Sequence, residues 1–234
     1  MDDIPIWLQK YAEKIVSDYS FDSSHDMKHF INVYNHTKEI ILHDYPSLLD
    51  DSLDLSYSVP KNSIPQNLST KQIRNIIYYA AFCHDLIDNK YVDSKREIEK
   101  LRQVFLDNNY EKECLDIIIF IIDNMSYSKQ RLGLVSIPEE YSLIMDIVSD
   151  ADKLDAYRVE RVVAFQENKH KNLDEPERSY QNLRWIKTIL VKRILTYKDC
   201  WLKTNYAKSI APDLHDKVQL YVDTHLSDLE MFDY

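Results

Sequence analysis

Glycine is almost missing from this chain: 234 residues hold one, at position 133. That excludes the glycine-rich loops that wrap phosphates in Walker and Rossmann sites, so any phosphate handled here must meet a metal and side chains instead. Cysteine is scarce too. Cys83, Cys114 and Cys200 lie far apart, form no Cys-x-x-Cys pair, and read as neither a disulfide framework nor a zinc cage, which fits a reducing compartment. No apolar run approaches the roughly 18 residues needed to span a bilayer; the longest, Ile117 to Ile122, is far shorter. The acidic start, Met1-Asp2-Asp3-Ile4-Pro5, lacks the apolar core of a signal peptide. A cytoplasmic protein is the expectation.

Long basic runs are also absent, and the formal net charge is -10. Nucleic acid and anionic membranes both reward basic patches, so neither is an expected partner. A small anion remains compatible if a metal and a few local cations offset the repulsion.

What is present is helical periodicity. With 44% hydrophobic and 29% charged residues, the chain is long enough for a sizeable core, and strand-like alternation is scarce. The spacing predicts helices over Trp7–Tyr19, Met27–His43, Thr70–Leu86, Ser94–Asp107, Glu111–Ser126, Glu139–Gln166, Arg178–Asn205 and Pro212–Glu230. Thr70 and the Asp22-Ser23-Ser24 stretch are the expected caps. Residues 46–70, with Pro46, Pro60 and Pro65 and no sustained period, read as a long surface insertion within one domain. The C-terminal stretch from about 178 to 230 places Trp185, Leu190, Ile194, Tyr197 and Trp201 at core-like spacing. It reads as a helical cover that could also serve a homodimer interface. The expected fold is all-α, one helical bundle with extra C-terminal helices.

Three helices carry metal-competent groups on their apolar sides. His84 shares a face with Ile73, Ile77, Ala80 and Ala81, and Asp85 follows it; His29 aligns with Val33, His36 and Ile40; Asp152 aligns with Met145 and Val148. An unpaired carboxylate on an apolar face is costly, and a metal is one partner that relieves it. Each group alone reads equally as a core histidine, a chance pair or an acidic turn; their order and phase together point to a metal. Two imidazoles and two carboxylates suit Mn, Fe, Co, Ni or Zn better than Ca.

His29…His84-Asp85…Asp152 resembles the H…HD…D signature of the HD superfamily of metal-dependent phosphohydrolases, over about residues 24–165. His25-Asp26-Met27-Lys28-His29 is similar to the HDxxH opening of the small bacterial HD hydrolases that act on nucleotides. Ala80 to Tyr91 is similar to their second block, and Asp150-Ala151-Asp152-Lys153-Leu154-Asp155-Ala156 to their DADRLDA block.

The resemblance implies an HD-domain core and one divalent metal held by His29, His84, Asp85 and Asp152. Manganese is preferred, with Fe, Co, Ni, Zn or Mg as alternatives. It implies hydrolysis of a phosphoester or phosphoanhydride in a small nucleotide-like metabolite; the alternative is a non-catalytic HD-fold module that binds metal or nucleotide. Asp88, one turn after His84, is the candidate general base or else a group that caps the helix or orients a ligand. Among Lys28, Lys90, Lys153, Arg158 and Arg161, the matched-block residues Lys90 and Lys153 are preferred for phosphate.

Asn32 departs from the family, which has arginine there, and Tyr157-Arg158 and Glu160-Arg161 replace a glycine-rich stretch of the small bacterial relatives. No histidine lies between His84 and Asp152, where two-metal HD enzymes draw extra ligands, so a mononuclear site is expected.

Overall fold

The computed structural model describes residues 4–53, 59–60 and 62–232; among these the chain is helical, with no strand. Its helices are α1 (Ile6–Asp18), α2 (Met27–Asp44), α3 (Thr70–Cys83), α4 (Ser94–Asp107), α5 (Lys112–Asn124), α6 (Tyr127–Arg131), α7 (Ser142–Ala156), α8 (Val159–Lys169), α9 (Glu177–Lys192), α10 (Tyr197–Cys200) and α11 (Asn205–His225). The all-α reading holds. No described helix is long and apolar enough to cross a membrane, and the three cysteines are free.

The main core forms where α2, α3, α5 and α7 lay their apolar stripes together. α2 buries Phe30, Val33, Ile40 and Ile41, α5 buries Ile117 to Ile119 with Ile121 and Ile122, and α7 buries Ile144, Ile147, Val148 and Ala151. Each of the larger of these side chains contributes about 1.5–3 kcal/mol on leaving water. A second cluster joins Tyr157 and Val162 to Ile186, Leu190, Ile194, Tyr197, Val218 and Val222 of the C-terminal helices. Trp185 and Trp201 stay only partly buried; Trp185 stacks on Phe232, ring centroids 4.5 Å apart.

Several boundaries correct the sequence reading. α3 is capped by Ser69, not Thr70, in a capping box with Gln72, and α2 by Asp26, whose side chain accepts from the His29 amide at 3.1 Å. That cap sets His29 in the first turn of α2. The single helix expected over 139–166 divides at Tyr157 and Arg158. Tyr157 turns into the second cluster, while extended Arg158 (φ -73°, ψ 105°) bonds Asp155 and Glu160. The helix expected over 178–205 ends at Arg193, whose guanidinium lies 4.4 Å from the Tyr127 ring centroid. The last helix starts at Asn205, not Pro212, because Thr204 caps it and Asp150 accepts from the Lys203 and Thr204 amides at 2.8 and 2.7 Å. α6 was not expected.

Residues 46–70 are more than a surface loop. A 3-10 turn spans Pro46–Leu49, Leu48, Val59 and Ile64 are buried, and Arg74 donates to the Leu48 carbonyl at 2.8 Å and to Asp51 at 2.7 Å. Positions 54–58 and 61 of this stretch lie outside the described residues.

Candidate metal centre

The four predicted ligands arrive from three places. His29 opens α2, His84 caps the C-terminus of α3 with Asp85 following it, and Asp152 sits two-thirds along α7. Their atoms converge. His29 Nε2 and His84 Nε2 are 2.9 Å apart, and Asp85 Oδ2 is 3.1 Å from each. Asp152 Oδ1 completes the quartet at 3.7 Å from His29 Nε2 and 3.6 Å from His84 Nε2.

The outer partners define the tautomers. His29 Nδ1 is 2.7 Å from Asp155 Oδ2, which can only accept, so Nδ1 carries the proton. His84 Nδ1 is 2.8 Å from the Ala81 carbonyl, which likewise only accepts. With both rings neutral, the two Nε2 lone pairs would face each other and two carboxylate oxygens. Such crowded acceptors repel unless positive charge sits among them: a metal ion, or else a proton on His84 with the Arg161 guanidinium, 2.8 Å from His29 Nε2. Neighbouring ligands about 2.0–2.2 Å from one ion lie roughly 3 Å apart, so the donor set fits a divalent metal. Nδ1–H held by a carboxylate or carbonyl is also how metal-binding histidines are usually oriented.

Electrostatics point the same way. Burial alone would lower His84, but the Asp85 and Asp152 carboxylates outweigh it and push the imidazole up to about 10. Burial would raise Asp85, yet the charge of the His84 imidazole beside it holds it well below the ordinary carboxylate range. Asp152 is likewise depressed, against its burial, by the His84 hydrogen bond and the Arg161 charge. A group this hungry for positive charge takes protons when no metal is bound.

The three aspartates of the α7 block part company. Asp150 caps the start of α11, Asp152 reaches the quartet, and Asp155 orients His29 while its other oxygen accepts from Asn32 at 2.9 Å. Asn32 thus supports Asp155.

The expected polar residues divide in the same way. Asp88 gathers with His25 and Asp85 into a second group of metal-competent atoms within 4.8 Å of one another. Its carboxylate accepts from Lys90 Nζ at 3.0 Å, so a cation already stands there. Lys90 is half-exposed at the rim, 5.9 Å from the Phe165 ring centroid. Lys153 is buried, and its ammonium turns back along α7 onto Ser149.

Two residues near the quartet were not singled out by spacing. His25 is buried; its Nδ1 meets the Ser24 and Tyr91 hydroxyls at 2.6 and 2.9 Å, and both hydroxyls donate to Asp22. Nδ1 must therefore be the donor, which leaves Nε2 as an acceptor 3.6 Å from Asp85 Oδ2. Arg161, from α8, reaches the quartet itself, at 3.2 Å from Asp152 Oδ1. The HDxxH block was the sequence signal for His25. Arg161 had only its place among the nearby cations, because the turn between α7 and α8 that delivers it is tertiary.

The fold defines an all-α helical bundle, and comparison supports that level alone. No family model matches the chain, and no curated protein does. Among solved structures, it is similar to a structural genomics target from Lactobacillus plantarum. The TM-score is 0.65 at 20% identity, over 97% of this chain and 98% of that one, so the two share a fold along nearly their whole length.

Proposed function

We propose that this protein is a metal-dependent phosphohydrolase of the HD kind, acting on a small phosphorylated, nucleotide-like metabolite. The observation that carries the reading is the pair of Nε2 atoms, 2.9 Å apart and flanked by Asp85 and Asp152, with both Nδ1 atoms bonded to outer acceptors. His29, His84, Asp85 and Asp152 would hold one divalent ion, manganese by preference. A bound ion supplies the Lewis-acid charge that polarises a phosphoryl oxygen and acidifies water.

The chain's own residues do the rest. Asp155 and the Ala81 carbonyl keep both imidazoles in the ligating tautomer. Asp88 is the proposed proton acceptor for the attacking water, oriented through its bond to Lys90. Lys90 is the proposed rim cation for phosphate. Lys153, whose buried ammonium bonds Ser149, is proposed to act through its field on Asp150 and Asp152 rather than by touching substrate.

The test is turnover of a nucleotide panel with Mn²⁺, Co²⁺ or Mg²⁺, followed as phosphate and pyrophosphate. Metal-dependent release is expected, and its loss in Asp85→Ala with helical content retained. Full activity in that variant would sink the metal assignment. Bound metal without turnover of any phosphorylated compound would favour a non-catalytic HD-fold binding module.

A further inference from the structure

We propose that Arg161 is the internal counter-cation of the metal-free centre, and that metal loading releases its guanidinium to bind the phosphoryl group of the substrate. The inference rests on the metal-centre reading above and adds to it the anion-binding residue and an order of binding.

Arg161 touches three of the four quartet members. Nη2 lies 2.8 Å from His29 Nε2 and 3.5 Å from Asp85 Oδ2, and Nη1 lies 3.2 Å from Asp152 Oδ1. A guanidinium can only donate, so at 2.8 Å it uses the His29 Nε2 lone pair. That nitrogen has one lone pair, because the ring's proton is on Nδ1, bonded to Asp155 at 2.7 Å. A metal held by His29 needs the same lone pair. Arg161 and the ion are therefore mutually exclusive at this atom.

Displacement need not carry Arg161 out of the site. Its Nε donates to the Ser24 carbonyl at 2.6 Å, and this bond uses none of the quartet. Anchored there, the two Nη groups can turn from the ligands toward a substrate. Their planar fork matches two oxygens of a phosphoryl group. Arg158 is engaged otherwise, by Asp155 and Glu160, and Lys90, the proposed rim cation, is bonded to Asp88 and makes no contact with the quartet's ligand atoms that Arg161 touches. Arg161 is the cation whose carboxylate partners a metal would take over. Before the metal arrives, Asp85 and Asp152 neutralise Arg161, so the anion site comes into being only with the ion.

Calorimetry on the metal-stripped chain tests this, with MnCl₂ and then inorganic phosphate as probes. Wild type is expected to bind phosphate only after manganese. Arg161→Ala and Arg161→Lys remove the competing bond and should each bind manganese about tenfold more tightly, the equivalent of one charge-assisted hydrogen bond. The loaded alanine variant should bind phosphate about tenfold more weakly than loaded wild type. Unchanged or weaker manganese binding in both variants overturns the proposal. Tightening in the alanine variant alone also overturns it, since charge and not the shared lone pair would then be responsible. Wild-type phosphate affinity in the loaded alanine variant overturns the anion role. Circular dichroism checks folding, and the lysine variant carries the metal test if the alanine variant does not fold. A wild type that binds no manganese would instead refute the metal centre itself, so the two failures are distinct.

Discussion

Asp155→Asn probes the logic of the centre without touching a ligand. Asp155 is fully buried and three groups donate to it: His29 Nδ1 to Oδ2 at 2.7 Å, and Asn32 and Arg158 to Oδ1 at 2.9 and 3.1 Å. An asparagine has one acceptor oxygen. With that oxygen toward Asn32 and Arg158, its NH₂ opposes the His29 N–H. Turned round, the NH₂ opposes an amide and a guanidinium, which is worse. The first arrangement wins, and His29 must move its proton to Nε2. The metal's lone pair is then gone. Loss of such an orienting partner costs about 10- to 100-fold in metal affinity, or roughly 1.4–2.7 kcal/mol. The shape of the residue is unchanged, so the fold should persist. Manganese titration of the variant, with circular dichroism alongside, measures both. Wild-type manganese affinity in a folded Asp155→Asn protein would refute the tautomer argument, and with it the case for two facing lone pairs.

Two further outcomes separate site from scaffold. His84 is pushed up from 6.5 to about 10 without metal, so at neutral pH it is protonated, and manganese must expel that proton. Titration in buffers of different ionisation enthalpy should reveal the release; none would contradict the charge state. Because the folded value is raised, the stabilisation it gives the metal-free protein is fully present below pH 6.5 and lost as pH rises through about 10. Phe105 in α4 is fully buried, with ring centroids of Trp7 and Tyr110 at 5.0 and 5.1 Å. Phe105→Ala should cost about 3–5 kcal/mol by chemical denaturation while manganese affinity stays the same. A parallel loss of affinity would mean the site depends on that distant packing.

Much of this was legible in the residues. The buried stripes of α2, α3, α5 and α7 follow local spacing, and local spacing is what periodicity reports. The same phase placed His29, His84 and Asp152 on apolar sides, where the quartet forms. What was hidden has a common cause. The helix breaks at Tyr157 and at Arg193 contain neither glycine nor proline. They exist because Tyr157 is drawn into the C-terminal cluster and Arg193 onto Tyr127. Pro212 suggested a start, but the interior of α11 accepts it, since Asp150 and Thr204 begin the helix earlier.

By itself, then, the sequence determined that the chain is helical, that it has no glycine loop for phosphate, and which four side chains could share an ion. Periodicity and composition are properties of neighbours along the chain, and these conclusions need nothing more. Only the tertiary structure decided that Asp155 and Ala81 direct the histidine protons outward, that Asn32 supports Asp155, and that Arg161 stands against the lone pair of His29. Those relations join atoms up to 132 positions apart. Their physics is a few ångströms of distance and the direction of a lone pair, which no local pattern encodes.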